Sequence, residues 1–276
     1  MYTLNCKGKL LAINEPLVMG IINATPDSFY KGHLQQGLDG IVSLAEKMIG
    51  EGAAILDIGG QSTRPGSERI TPLLETERIM PVIEAIKSMH PDVIISVDTY
   101  HARVAEKAVN VGASIVNDIS GGTMDPEMIA TVAGLKVPYI CMHIKGIPES
   151  MQKEPVYEDV VKELLDYFIM KTAECKLAGI NDLIIDPGFG FGKTIAHNFK
   201  LLKQLAVFKM LDKPILAGLS RKSTVYKTLG ISADNALNGT TVLNTIALMN
   251  GASILRVHDV AAAKEAVALT EAYKNV

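Results

Sequence analysis

Cysteine is scarce in this chain. Cys6, Cys141 and Cys175 are the only three in 276 residues, they stand far apart, and none belongs to a CxxC pair. That spacing excludes a disulfide framework and predicts no structural zinc; it reads as ordinary thiols in a reducing compartment. Long apolar runs are missing as well: none approaches the roughly 20 residues needed to cross a bilayer. The opening segment Met1 to Leu10 lacks the cationic start and apolar stretch of a secretory signal, so the expected location is the cytosol, with no membrane partner. Basic excess is also absent. With 27 Lys and Arg against 30 Asp and Glu, the formal net charge is −3, which argues against a nucleic-acid partner held by a broad cationic face.

What is present points to an enzyme-sized α/β domain. Hydrophobic residues make up 48% of the chain, enough for a substantial core. Eight short apolar runs recur, from 17 to 22, 53 to 58, 93 to 97, 114 to 116, 137 to 142, 183 to 185, 214 to 217 and 253 to 257. They are rich in Ile, Val and Leu without polar alternation, as expected of parallel strands covered on both faces. Between them lie segments of helical spacing, such as Ile41, Leu44, Ala45, Met48 and Ile49. Others run over about 71–89, 101–111, 127–135, 156–177, 197–210, 234–249 and 260–273.

Eight strand-helix repeats joined by right-handed crossovers predict a (β/α)8 TIM barrel. Residues 1–276 are expected to form one domain, since no linker, charge block or low-complexity tract divides them. The other architecture that fits the alternation is an open doubly wound sheet, but no GxGxxG follows the first strand. The irregular stretch Lys145 to Pro155 reads as a long loop after the fifth strand.

The residues that follow each run carry the functional signal: Asn23, Asp57, Asp98, Asn117 with Asp118, His143, Asp186, Ser220-Arg221-Lys222, and Arg256 with His258. In a barrel these positions are expected to converge on the C-terminal mouth, where active sites of this fold lie. A polar residue at any one strand end commonly just caps a helix or ties a loop. The set together combines carboxylates and amides suited to a hydrogen-bonding heterocycle with Arg64, Lys222, Arg256 and His258, suited to an anion.

Two glycine-bearing polar loops, 24–33 and 59–67, leave the same mouth and are candidate lids. The segment Pro187-Gly188-Phe189-Gly190-Phe191-Gly192-Lys193-Thr194 imitates a phosphate-binding P-loop. Its first glycine, however, leaves three residues before Gly-Lys-Thr where four are required. It reads instead as a backbone turn that lets Phe191 face the pocket beside Asp186. His33, His90, His101, His143 and His197 show no ligand spacing and receive no role, and the twelve methionines read as core filler.

Five ordered segments carry a resemblance: Met19 to Phe29, Asp57 to Gly66, Asp186 to Lys193, Ser220 to Ser223 and Arg256 to Asp259. Together they resemble the signatures of dihydropteroate synthases over nearly the whole chain. The resemblance implies condensation of 6-hydroxymethyl-7,8-dihydropterin diphosphate with para-aminobenzoate, giving 7,8-dihydropteroate and diphosphate. It further implies that the bond to the pterin methylene breaks largely before the amine attacks, so no protein nucleophile is needed. A homodimer through outer helices is implied too.

Under that resemblance Asp98, Asn117 and Asp186 bind the pterin edge, as acceptors and through both capacities of an amide, and Lys222 donates to its ring acceptors. Met142 and Ile119 pack against the ring or belong to the barrel core, and Asp57 reaches the pterin or only its own loop. Thr63, Arg64, Arg256 and His258 meet the diphosphate, with Mg2+ held at Asn23. The catalytic set is therefore Asn23, Thr63, Arg64, Lys222, Arg256 and His258. Para-aminobenzoate lies against Phe191 near Pro65, with Ser220 on its carboxylate, and sulfonamides would compete there.

The first lid departs from the family. Many members carry Ser-Asp-Gly-Gly after Ser-Phe, whereas this chain has Tyr30-Lys31-Gly32-His33, putting a cation where the family has a carboxylate. Two other readings stand beside the synthase. A pterin-dependent methyltransferase has similar strand-end acids but needs no diphosphate site, and a non-catalytic pterin carrier needs neither lids nor a benzoate pocket.

Overall fold

A computed structural model describes residues 1–24, 34–62, 67, 69–153 and 155–276, the side chains of 34–36 apart. The chain opens with an antiparallel hairpin, β1 (Tyr2–Cys6) and β2 (Lys9–Ile13), paired from Tyr2↔Ile13 to Cys6↔Lys9. Its two-residue turn, Lys7 at φ 56° and Gly8 at φ 91°, has the double left-handed geometry that matches strand twist.

Then come β3 (Leu17–Asn23), α1 (Leu34–Gly50), β4 (Ile55–Gly59), α2 (Pro72–Met89), β5 (Ile94–Asp98), α3 (Ala102–Val111) and β6 (Ile115–Asp118). The second half continues with α4 (Met128–Leu135), β7 (Tyr139–Met142), α5 (Val160–Ala178), β8 (Leu183–Asp186), α6 (Ile195–Lys203) and a 3-10 turn over Leu205–Leu211. It ends with β9 (Leu216–Ala217), α7 (Ser223–Leu229), α8 (Leu237–Met249), β10 (Ile254–Val257) and α9 (Val260–Lys274).

The parallel strands run in the order β8-β7-β6-β5-β4-β3-β10-β9. The ring is closed between β8 and β9 by a parallel bridge of Ile185 with Ile215, where the Ile185 amide donates to Pro214 at 3.0 Å. With helices between successive strands this is a (β/α)8 barrel. All eight expected strands are present. Three features were not expected: the N-terminal hairpin, the short helix α7, and the break of the 197–210 segment into α6 and the 3-10 turn.

Alternation along each strand sorts the side chains. Outward residues such as Val18, Leu56, Val97 and Leu255 join the helices in one large core. Inward residues at the N-terminal end are apolar on every strand: Met19, Ile55, Ile94, Ile115, Ile140, Ile184, Leu216 and Ile254. Leu4, Cys6 and Ile13 of the hairpin pack under this layer and close the bottom of the barrel. Two residues further along, the inward positions become polar on five of the eight strands, at Asp57, Ser96, Asn117, Asp186 and Arg256, while β3, β7 and β9 carry Ile21, Met142 and Gly218 there.

Candidate active site

Strand register fixes the first half of the site. Asp57 on β4 pairs with Ile21 and Ser96, while Asp98 on β5 pairs with Gly59 and Asn117, so Asp57, Asp98 and Asn117 all face into the barrel. Arg256 on β10 reaches across to them. Its Nε donates to Asp57 Oδ2 at 2.6 Å and its Nη2 to Asp98 Oδ2 at 2.5 Å. Asn117 Nδ2 donates to the same Asp57 oxygen at 3.0 Å. Asp57 Oδ1 is buried without a hydrogen-bond partner among the described residues, an acceptor left over for a ligand N–H. Arg256 was expected on a diphosphate; here its guanidinium is engaged by two carboxylates.

The electrostatics follow from this packing. Burial pushes the Asp98 carboxyl up to about 7, against the pull of Arg256 and with the repulsion of Asp57 added. Burial works against the Arg256 guanidinium, but Asp57 and Asp98 more than offset it and hold it above its ordinary value. Asp186 is raised by burial while Lys222 draws it back. Lys222 in turn is lowered by burial to about 8, with Asp186 opposing.

The second half of the site is a turn. Asp186 ends β8 and accepts the Gly188 amide on Oδ1 at 2.8 Å. Gly188 and Gly192 stand at φ 67° and 62°, and a Cβ at either would collide with a carbonyl oxygen, that of His143 or Lys145 respectively, so only glycine fits. The turn is not a P-loop; it presents Phe191 to the mouth, as the sequence implied. Lys222 Nζ donates to the Phe189 carbonyl and lies 4.7 Å from the centre of the Phe191 ring. Phe191, Met142 and Ile119 form one apolar wall with Tyr100 and Met151, the last two unforeseen.

Ser220 and His258 meet: Ser220 Oγ and His258 Nδ1 share a hydrogen bond at 3.0 Å, and the His258 amide donates back to Ser220 Oγ at 3.2 Å. A residue expected on the benzoate carboxylate is thus joined to one expected on diphosphate. Asn23 is exposed at the end of β3. Thr63, Arg64 and Pro65, with Asp27 and Lys31, lie outside the described residues.

A family profile described as pterin binding enzyme matches residues 19–258. The chain is 42% identical to the dihydropteroate synthase of Escherichia coli K12 over 268 residues, covering 96% of this chain and 94% of that protein. It is also 42% identical to the Haemophilus influenzae dihydropteroate synthase, covering 99% of each. The chain belongs to the dihydropteroate synthase family.

Solved structures agree. The Yersinia pestis dihydropteroate synthase in a sulfonamide complex superposes with a TM-score of 0.93 at 39% identity, covering all of both chains. The Xanthomonas albilineans synthase in complex with 7,8-dihydropteroate gives 0.89 at 36%, again over all of both chains.

Not every strand-end residue of this synthase-family chain belongs to the site, contrary to the expectation that all converge on the mouth. Asp118, one residue past Asn117, faces outward. Its carboxylate accepts the Ser120 amide and hydroxyl, the Gly122 amide and the Tyr139 hydroxyl, each at 2.7 Å, which ties down the loop after β6. Arg221 also turns away. At φ 53°, it pairs with Asp259 through Nε and Nη2, both at 2.8 Å, and donates to the carbonyls of Ala233 and Asp234. That pairing holds a strained backbone between two site residues. Among the described residues no helix is long and apolar enough to cross a membrane, and no group of three or more His, Cys, Asp or Glu side chains is placed to hold a metal ion.

Proposed function

We propose that residues 1–276 act as one pterin-binding domain whose barrel mouth divides the dihydropteroate synthase reaction into three contacts. The enzyme is a transferase of folate biosynthesis: it joins 6-hydroxymethyl-7,8-dihydropterin diphosphate to para-aminobenzoate, giving 7,8-dihydropteroate and diphosphate. The observation that carries this reading is the convergence of Asp57, Asp98, Asn117, Asp186, Lys222 and Arg256 on one mouth. It occurs in a chain 42% identical to a synthase over nearly its full length.

The pterin presents a row of N–H donors beside acceptors. Asp98 and Asp186 accept from it, Asn117 uses its remaining carbonyl oxygen, and Lys222 donates to ring acceptors. Met142, which lies on the apolar wall, packs against the ring. As the C–O bond to the diphosphate breaks, charge accumulates on the leaving oxygens, where Thr63, Arg64 and His258 meet it, together with Nη1 of Arg256, whose Nε and Nη2 are held by Asp57 and Asp98. The N–C bond then forms from the amine of para-aminobenzoate, which loses a proton. Phe191 and Pro65 flank the benzene ring and Ser220 faces its carboxylate. A methyl-transfer reading has no use for the anion-binding group.

Mg2+ fits as a partner of the diphosphate rather than as a resident ion. Asn23, an exposed residue at the end of β3, would supply one amide oxygen, and Mg2+ commonly takes one or two protein oxygens with the rest from phosphates and water. When bound there it supplies positive charge to the leaving group. We further infer a cytoplasmic location and pairing with a second copy through outer helices. The α8–α9 face exposes Val242, Ile246, Met249, Leu269 and Tyr273 beside a groove of about 380 Å³, an apolar surface of the kind that marks an interface. Monomeric sedimentation would remove the pairing.

The deciding experiment supplies the purified protein with Mg2+ and 6-hydroxymethyl-7,8-dihydropterin diphosphate, with and without para-aminobenzoate. Diphosphate release that depends on para-aminobenzoate and yields dihydropteroate is expected. Pterin binding without such release would overturn the reading.

A further inference from the structure

We propose that Lys193 is a positioning residue for the para-aminobenzoate site. From a position closed to solvent it fastens the 188–192 turn to the loop after β7, and so fixes the Phe191 ring. The proposal rests on the reading of Phe191 as the benzoate wall and deepens it.

The turn lies outside every helix and strand, so its carbonyl oxygens have no ladder to join. Each of the five nevertheless accepts from a side chain. Gly188 and Phe191 accept from Lys193 Nζ at 3.1 and 3.0 Å, and Phe189 from Lys222. Gly190 accepts from Gln152 Nε2, and Gly192 from the Tyr157 hydroxyl at 2.9 Å. A surface turn would leave this work to water. Here all four donors come from outside the segment, and Lys193, the residue that follows it, is the one that binds twice.

Lys193 is also the costly one. It is 2% exposed, and none of its hydrogen-bond partners is a carboxylate. Besides the two turn carbonyls it contacts the His143 carbonyl at 3.2 Å and His143 Nδ1 at 3.0 Å. Burial and the Lys193 charge push the His143 imidazole far below its ordinary value, so it stays neutral and accepts at Nδ1. Burying an amine among neutral acceptors is expensive. What it gains is geometric: one atom joins two loops at four points, and the turn cannot shift without breaking several hydrogen bonds together.

The consequence falls on one substrate. Asp98 and Asn117 stand on strands and do not depend on the turn, while Asp186 and Lys222 touch only its first two residues, Gly188 and Phe189. Phe191 depends on it entirely, since its own carbonyl is one of the atoms Lys193 holds. A loosened turn therefore weakens para-aminobenzoate more than pterin.

The test compares steady-state constants and pterin calorimetry for Lys193→Met, Gln152→Ala, Tyr157→Phe and Phe191→Ala. Lys193→Met is expected to raise the para-aminobenzoate KM by about 10- to 100-fold, the range for losing about two hydrogen bonds together. Pterin affinity should stay within about threefold. Gln152→Ala and Tyr157→Phe each remove one rim contact and should raise the same KM by about 2- to 10-fold. They also decide the matter if Lys193→Met fails to fold: an unchanged KM in both overturns the proposal. An equal loss of pterin and para-aminobenzoate in a folded Lys193→Met overturns it too, as a merely structural role would give. If Phe191→Ala raises the KM while folded Lys193→Met does not, the Lys193 proposal falls and the Phe191 reading survives. If Phe191→Ala leaves the KM unchanged, the Phe191 reading itself falls.

Discussion

The floor and much of the mouth of this barrel are built by the same strands, two residues apart. On β4 the inward neighbours are Ile55 and Asp57, on β5 Ile94 and Ser96, on β8 Ile184 and Asp186, and on β10 Ile254 and Arg256. A separation of about 6.6 Å divides an aliphatic layer, sealed below by the hairpin, from Asp57, Asp186 and Arg256; Asp98, one step further along β5, and Lys222, beyond β9, complete a mouth where two cations face three carboxylates. The floor asks only for volume and apolarity. The mouth buries charge, which the floor's rigidity makes tolerable, because paired groups hold their geometry only on a backbone that does not yield.

The sharpest break in that comparison is to remove a charge from the mouth. Arg256→Met leaves Asp57 and Asp98 without their shared cation, and loss of one partner of a buried ion pair costs about 3–5 kcal/mol. We expect denaturant unfolding to show a loss of about 4 kcal/mol, together with the disappearance of measurable pterin turnover. Retained stability would mean that the acids are neutralised some other way.

The floor should respond differently. Ile184→Ala opens a cavity beneath the site at a position with no exposed surface, for which about 3 kcal/mol is typical. The protein should nevertheless keep its pterin affinity within about twofold, as expected of independent sites. A large affinity loss in calorimetry would show that the two layers are coupled, and the division drawn here would fail.

The same period of two explains what could be read from the sequence. The eight strands were legible because parallel strands are covered on both faces and appear as solid apolar runs. Asp57, Asp98, Asn117 and Asp186 were legible because charge interrupts those runs at their ends. Asp118 was misassigned although the parity rule was available: if Asn117 faces in, its neighbour faces out, where Tyr139 and Ser120 hold it. Arg221 escaped because a left-handed residue between two site residues leaves no mark in composition. The hairpin was overlooked although Leu4 and Cys6 alternate with Thr3 and Asn5, since two five-residue strands carry too little apolar content to stand out. Lys193 belongs to no period at all; two of its four contacts are to His143, 50 residues away in sequence.

The hairpin gives a smaller test. Leu4 is buried against the floor, but from outside the ring of strands. Leu4→Ala should therefore cost about 2 kcal/mol, the lower end for such truncations, because a terminal segment can settle into the space. Thermal unfolding would read this, and a loss equal to that of Ile184→Ala would place the hairpin inside the barrel's cooperative core.

The subtlest difference is in pH. Nothing on the floor titrates near neutrality: the Cys6 thiol is pushed up to about 12 by burial, and the Tyr2 phenol packed beside it is raised as well. The mouth titrates on both sides. Asp98 is raised by burial to about 7, so as pH falls through that value it takes up a proton and ceases to accept from the pterin edge. Lys222 is lowered by burial to about 8, so as pH rises through that value it loses the charge expected on the ring acceptors. The kcat/KM for the pterin diphosphate should thus be bell-shaped. It should fall about tenfold per unit, or about 1.4 kcal/mol, below pH 7 and again above pH 8, the two limbs belonging to the coupled site rather than to isolated groups. The stability cost of Ile184→Ala should be the same at pH 6 and pH 8. A flat kcat/KM profile, or an acid limb that survives unchanged in Asp98→Asn, would mean that Asp98 is not the group that meets the pterin.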